Sequence, residues 1–197
     1  MLCLGITGGI GSGKSYVSRI FTALGIPVYE ADTQTKLLYG RDEKLKQALT
    51  SLLGADIFKD GRLQKEVMAA KIFSDRGLLE QVNRLVHPVV IGDFTDWKVR
   101  QDAPYVVMES AIILETPFAS AVDKMLTVSS PAALRLERIH GRDKTGIEDA
   151  QRRMDKQWSD AMREAKSDFV VYSDGKIPLL PQVLRVHQEM ITLNMYI

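Results

Sequence analysis

Cysteine is nearly absent: Cys3 stands alone among 197 residues, so the chain can form no internal disulfide. Its place in an apolar stretch suits a small core residue rather than a reactive thiol. Charge of one sign is missing too. Lys and Arg total 26 against 25 Asp and Glu, a net charge of +1, which gives no electrostatic reason to expect nucleic acid or an anionic membrane as a partner. No apolar run approaches the roughly 20 residues needed to cross a bilayer, and the stretch from Met1 to Ile6 is shorter than the apolar core of a secretory signal. Internal repeats and low-complexity tracts are lacking as well. These absences predict a cytoplasmic globular protein, and the length suits one domain carrying an embedded subdomain; a monomer or weak homo-oligomer is expected, although nothing in the sequence fixes the oligomeric state.

What the chain does have is Gly8-Gly9-Ile10-Gly11-Ser12-Gly13-Lys14-Ser15, the phosphate-loop pattern of Gly, four residues, then Gly-Lys-Ser. Before it, Leu2-Cys3-Leu4-Gly5-Ile6 reads as a short strand buried on both faces. After it, Val17, Ile20, Phe21 and Leu24 recur at helical spacing. Strand, glycine-rich turn and helix are the setting such a loop requires. Glycine dihedrals turn successive N–H groups inward at a helix N-terminus, making a nest for an anion. Lys14 is expected to reach the β- and γ-phosphates of a nucleoside triphosphate, and the Ser15 hydroxyl to ligate Mg²⁺. A dinucleotide fingerprint fits less well, because its third glycine is displaced and Lys-Ser goes unexplained.

Ile26-Pro27-Val28-Tyr29, Tyr105-Val106-Val107-Met108, Met125-Leu126-Thr127-Val128 and Phe169-Val170-Val171-Tyr172 read as further strands, short, apolar and separated by helical patterns. That alternation predicts an α/β fold whose parallel sheet is flanked by helices. Ser130-Pro131 marks a helix start, with Ser at the N-cap and Pro in the first turn. Pro181 onward, with Val183, Leu184, Val186, His187 and Met190, reads as a closing amphipathic helix. Residues 33–102 differ, showing helical periodicity and no convincing strand. Too long for one crossover helix, they are expected to form a helical insertion over the carboxyl edge of the sheet, where ligands of open α/β sheets bind, and to carry the second substrate.

A phosphate loop alone does not separate a kinase from a GTPase or a motor. The Asn-Lys-x-Asp run that reads guanine is absent, and Asp143-Lys144-Thr145-Gly146 matches Asp-x-x-Gly without following the third strand. A small-molecule kinase needs a group for the acceptor hydroxyl and cations for the developing phosphoryl charge. Asp32 ends the second strand. A carboxylate there could accept the proton, hold Mg²⁺ through water, or simply cap the next helix. Arg135, Arg138 and Arg142 lie three and four apart on one helix face. With Arg152, Arg153 and Arg163 they suit a lid that closes on phosphates, or else a solvated face paired with Glu137, Asp143 and Glu148.

Ile6-Thr7-Gly8-Gly9-Ile10-Gly11-Ser12-Gly13-Lys14-Ser15 strongly resembles the opening of bacterial dephospho-coenzyme A kinases, and the likeness runs collinearly to about Gly175. Glu30-Ala31-Asp32 stands where that family has Asp-Ala-Asp, and Leu85-Val86-His87-Pro88 matches Leu-x-His-Pro. Ala111-Ile112-Ile113-Leu114-Glu115 loosely matches Pro-Leu-Leu-x-Glu. Arg138-Ile139-His140-Gly141-Arg142-Asp143 matches Arg-x-x-x-Arg-Asp, Arg153 and Gln157 match Arg-x-x-x-Gln, and Ser167-Asp168 stands for Ala-Asp.

The resemblance implies a P-loop kinase fold with a five-stranded parallel core at residues 1–32 and 103–197, a lid at about 138–165, and a helical acceptor-binding subdomain at 33–102. It implies transfer of the γ-phosphoryl group of ATP, with Mg²⁺, to the ribose 3′-hydroxyl of dephospho-coenzyme A, the last step of coenzyme A synthesis. Asp32 becomes the general base, and Lys14 and Arg142 the catalytic cations. Gly11, Ser12, Gly13, Lys14, Ser15, Tyr16 and Arg142 are expected to meet ATP, and Thr7, Gly8, Asp32, Lys36 and His87 the acceptor. Arg138, Arg153 and Arg163 belong to the lid. His87 reads equally as a structural residue at a helix end. Lys36 and Lys65 stand where the family usually has Arg, and Ser173 where it has Asn; Lys supplies charge without the bidentate fork. A kinase for a nucleoside monophosphate or small metabolite would share the loop and lid, and a nucleotide-dependent switch the loop alone.

Overall fold

The computed structural model describes residues 1–73, 75–143, 146–155 and 157–196, so Lys144 and Thr145 of the Asp-x-x-Gly match lie outside the described residues. The chain divides into two compact units, Met1–Glu30 with Gln101–Ile197, and Ala31–Arg100. The first opens with β1 (Leu2–Thr7), α1 (Lys14–Ala23) and β2 (Val28–Glu30). The second contains α2 (Ala31–Arg41), α3 (Glu43–Leu53), β3 (Phe58–Lys59), β4 (Arg62–Leu63), α4 (Lys65–Phe73) and α5 (Arg76–Lys98). The first then resumes with β5 (Tyr105–Glu109), β6 (Lys124–Ser129), α6 (Ala132–Asp143), α7 (Ile147–Asp155), α8 (Asp160–Glu164), β7 (Phe169–Tyr172) and α9 (Leu179–Asn194).

The main sheet is five-stranded and parallel, in the order β2-β5-β1-β6-β7. β1 and β5 are buried along their whole length, which is why they read as unbroken apolar runs: helices cover both faces. The register pairs Ile6 with Glu109 and Thr7 with Thr127, so the turn after β1 leaves from the middle of the carboxyl edge. α1 buries Val17 and Phe21, and α9 buries Val183, Val186 and Met190, in one core with Leu4, Ile6, Val107 and Leu126. Each such side chain contributes on the order of 1.5–3 kcal/mol relative to exposure. Phe21 also meets Tyr105 edge-on, with ring centroids 6.4 Å apart.

Two helix starts differ from expectation. The Arg135 N–H donates to the Pro131 carbonyl at 3.0 Å, so Pro131 opens α6, while the Ser130 hydroxyl donates to the Ser173 carbonyl at 2.8 Å. α9 begins at Leu179, so Pro181 sits in its first turn, where no helical partner for its missing N–H exists.

In the second unit α2, α3 and α4 each pack on α5. Leu45, Leu49 and Leu53 form the buried stripe of α3, and Val82, Val86, Val90 and Phe94 that of α5. Asp42 and Asp75 cap these two helices, accepting from the N–H groups of Leu45 at 2.8 Å and Leu78 at 2.9 Å. The unit is not wholly helical. Phe58 pairs with Leu63 and Lys59 with Arg62 in an antiparallel hairpin, turned by Asp60 and Gly61 at φ 50° and 72°. Positive φ at both positions is what an Asp-Gly turn supplies; strands of two residues carry too little alternation to register beside helical periodicity. Among the described residues no helix is long and apolar enough to cross a membrane.

Candidate active site

Beyond β1 the chain turns back on itself. The Ser12 N–H donates to the Gly9 carbonyl at 3.1 Å, and the Tyr16 and Val17 N–H groups donate to the Gly13 carbonyl at 3.0 and 3.2 Å, starting α1. Gly13 makes that junction at φ 100°, a left-handed conformation glycine adopts without a Cβ penalty. Lys14 Nζ donates to the carbonyls of Gly8 at 3.0 Å and Gly9 at 3.4 Å. The Ser12 side chain is fully buried, and its hydroxyl has no hydrogen-bond partner among the described residues. A buried orphan hydroxyl, an ammonium folded over the loop and a helix N-terminus together fit a multiply charged anion. Ser15, exposed in the first turn of α1, offers a hard oxygen. That fits Mg²⁺, which takes few protein ligands and keeps several waters. Tyr16 beside it is exposed, while Thr7 is buried and donates to the Ala111 carbonyl at 3.3 Å.

The arginines expected to act together are separated by the tertiary structure. Arg138 reaches the loop: its Nη1 donates to the carbonyls of Gly11 at 3.2 Å and Ser12 at 3.3 Å and to the Ser173 hydroxyl at 3.2 Å. Arg135, grouped with it on the sequence but given no separate role, also reaches the loop, at Ile10. Arg142 does not. It forms a bidentate pair with its neighbour Asp143, at 2.6 and 3.0 Å, and its side chain is 62% exposed. Arg153 shares the same carboxylate at 2.6 Å. Hydrogen bonds from Arg142 and then Arg153 hold the Asp143 carboxyl well below the usual carboxylate range. Arg163 is buried; burial pulls its pKa down, while Asp160 and Glu115 favour its charge.

Three further motif positions have structural partners. Glu115 ends a 3₁₀ turn and accepts from the Trp158 N–H at 3.4 Å. Gln157 accepts from the Ile10 N–H at 2.8 Å. Asp168 accepts from the Met125 N–H and from Lys124, both at 2.8 Å, closing the start of β6 onto β7.

In the second unit, Asp32 is the second residue of α2 rather than its N-cap, and it is exposed. Lys36 lies one turn later, exposed on the same face. His87 is half-buried in the middle of α5, not at a helix end, because the helix runs through Pro88 to Lys98. Pro88 offers no N–H to the carbonyl of Arg84, and the packing of α5 tolerates that loss. Burial lowers the pKa of His87 and favours its neutral ring.

The sequence model of the dephospho-CoA kinase family matches residues 2–178. A protein of Porphyromonas gingivalis named dephospho-CoA kinase is 41% identical over 187 residues, covering 94% of this chain and 93% of its own length. A crystal structure of a Thermus thermophilus protein superposes with a TM-score of 0.85 at 26% identity, covering 95% of this chain and 96% of that one. The dephospho-CoA kinase of Campylobacter jejuni shares the fold, with a TM-score of 0.68 at 20% identity over 98% of both chains. Matched from the first strand to the start of the last helix, and carrying a formed phosphate loop, the chain belongs to the dephospho-CoA kinase family, enzymes that phosphorylate dephospho-coenzyme A with ATP.

Proposed function

We propose that this enzyme transfers the γ-phosphoryl group of ATP to the ribose 3′-hydroxyl of dephospho-coenzyme A, giving coenzyme A and ADP. The observation that carries this reading is the phosphate loop, with Lys14 over its carbonyls and the Ser12 hydroxyl buried within it, in a chain of this family. Loop N–H groups between Gly11 and Ser15, other than that of Ser12, which the Gly9 carbonyl holds, cradle the phosphates, and Lys14 leaves the carbonyls of Gly8 and Gly9 to neutralise charge on the transferring group. Ser15 would hold the Mg²⁺ that the family's chemistry implies, which would supply charge neutralisation to the nucleotide phosphates. Asp32 accepts the hydroxyl proton as the acceptor oxygen bonds to the γ-phosphorus and the bond to the β,γ-bridging oxygen breaks. Its place two residues after β2, at the first turn of α2, supports that role. Thr7 and Gly8 in the first unit, and Lys36 and His87 in the second, are the further acceptor contacts in this reading.

In this reading the lid of about residues 138–165 moves at its exposed part, around Arg142 and Arg153, while Arg138, Gln157 and Arg163 anchor it. Arg142 and Arg153 exchange Asp143 for the phosphates as the lid closes, at little cost in stability because exposed ion pairs contribute about 1 kcal/mol or less. In this reading the enzyme is cytoplasmic, a monomer or weak homo-oligomer working on small molecules, and its balanced charge offers no electrostatic attraction to nucleic acid or an anionic membrane. An ADP-release assay across dephospho-coenzyme A, AMP, CMP and shikimate tests the proposal. Stimulation by dephospho-coenzyme A is expected; stimulation by AMP or CMP with none by dephospho-coenzyme A would overturn the substrate.

A further inference from the structure

The backbone of Ile10 is held at both its N–H and its carbonyl by side chains from much later in the chain. Its N–H donates to Gln157 Oε1 at 2.8 Å, and its carbonyl accepts from Arg135 Nε at 2.9 Å. Arg135 Nη1 donates to Asp160 Oδ2 at 2.7 Å. The other oxygen of Asp160 accepts from Arg163 Nη1 at 3.1 Å, and Arg163 Nη2 lies 3.6 Å from Glu115 Oε1. Arg135 is 5% exposed and Arg163 1%, so these charges are screened little by water and have little freedom to rearrange.

Gly9 explains where the rest of the Arg135 guanidinium goes. A Cβ on Gly9 would lie 2.1 Å from Nη2 and 2.4 Å from Cζ of Arg135. Unlike Gly11 and Gly13, Gly9 has no positive φ, so its backbone would accept a side chain. What excludes one is the guanidinium, pinned at Ile10 and Asp160.

We infer that Arg135 is a positioning residue of the phosphate loop. Its planar fork fixes the Ile10 carbonyl relative to Asp160 on α8, and Gln157 holds the Ile10 N–H of the preceding peptide, so that the following N–H groups and Lys14 are presented to a nucleotide in one geometry. With Nε on Ile10, Nη1 on Asp160 and Nη2 against Gly9, Arg135 acts through the loop backbone and not by touching phosphate. Gly9 is small because Arg135 occupies its side-chain space. This inference rests on the loop being the nucleotide site and adds the device that shapes it.

The test is ADP binding by titration calorimetry, with thermal unfolding in parallel, on the full chain and on Arg135→Ala, Arg135→Lys, Gly9→Ala and the double variant Gly9→Ala/Arg135→Ala. Arg135→Ala and Gly9→Ala are each expected to weaken ADP binding about tenfold, within the coupling range of contacting residues. The double variant is expected to bind no worse than either. Arg135→Lys should recover thermal stability without recovering ADP affinity, because an ammonium cannot bridge Ile10 and Asp160 as a fork does. The KM for ATP should rise while the KM for dephospho-coenzyme A stays unchanged. Multiplied losses in the double variant, or wild-type ADP affinity in Arg135→Lys, overturn the inference. A wild-type chain that fails to bind ADP would instead defeat the reading of the loop as a nucleotide site.

Discussion

Arg138 and Ser173 are joined twice: Nη1 donates to the Ser173 hydroxyl at 3.2 Å and Nη2 to its carbonyl at 3.1 Å. The same Nη1 contacts the carbonyls of Gly11 and Ser12, so the residue after β7 is linked to the phosphate loop through one guanidinium. Ser173→Ala removes one acceptor and keeps the carbonyl. It should weaken ADP binding by less than about fivefold, as expected for one hydrogen bond of roughly 0.5–1 kcal/mol. Arg138→Ala removes the whole link and should cost more than about tenfold. Calorimetric titration separates the two; equal losses would place the link in the hydroxyl alone.

Arg142 tests the lid. If it moves from Asp143 to the phosphates, Arg142→Ala should lower the single-turnover rate at saturating ATP on the order of 10³-fold, as for arginines that stabilise transferring phosphoryl groups. Should it serve only as the exposed partner of Asp143, the loss would stay under about threefold.

For Asp32 the informative substitution is Asn, which keeps shape and removes charge and most basicity. Phosphoryl transfer should fall roughly 10²- to 10⁴-fold while ATP affinity changes little. A loose transition state places the lower end within expectation. Partial recovery at high Mg²⁺ would mean that the carboxylate chiefly positions the metal, and near-normal transfer at ordinary Mg²⁺ would remove it from the mechanism.

Asp168 gives a pH signature in stability. Burial works against its charge, but hydrogen bonds from Lys124 and from the Met125 N–H outweigh that and hold its pKa below the ordinary value. The unfolded chain therefore takes up this proton first on acidification, and the stabilisation is lost as pH falls through the folded pKa. Wild type should exceed Asp168→Asn by at most about 1 kcal/mol at neutral pH, because the Asn amide oxygen can still accept from the Met125 N–H and what is lost is the negative charge facing the partly screened Lys124. Denaturant midpoints should show that gap intact above about pH 4 and closing below it. A gap that does not change with acid would show that the charge contributes nothing.

Much of this protein was legible in local spacing. Strands covered on both faces must be apolar throughout, so β1, β5, β6 and β7 announce themselves as short runs. A loop that turns its N–H groups inward needs glycines at set positions followed by Lys-Ser, so Gly8 to Ser15 needed no tertiary context. The hairpin at Phe58–Lys59 and Arg62–Leu63 escaped because two-residue strands have almost no periodicity, although Asp60-Gly61 carried the turn. Helical spacing placed Arg135, Arg138 and Arg142 on one face but could not say what that face would meet. Only the packing of α6 against the turn after β1 put Arg135 on Ile10 and Arg138 on Gly11, and left Arg142 with Asp143. The same holds for Arg163, a surface cation by composition. Tertiary structure buried it: Asp160, one turn before it, hydrogen-bonds its Nη1, and Glu115, far earlier in the chain, comes within 3.6 Å of its Nη2 as an opposite charge.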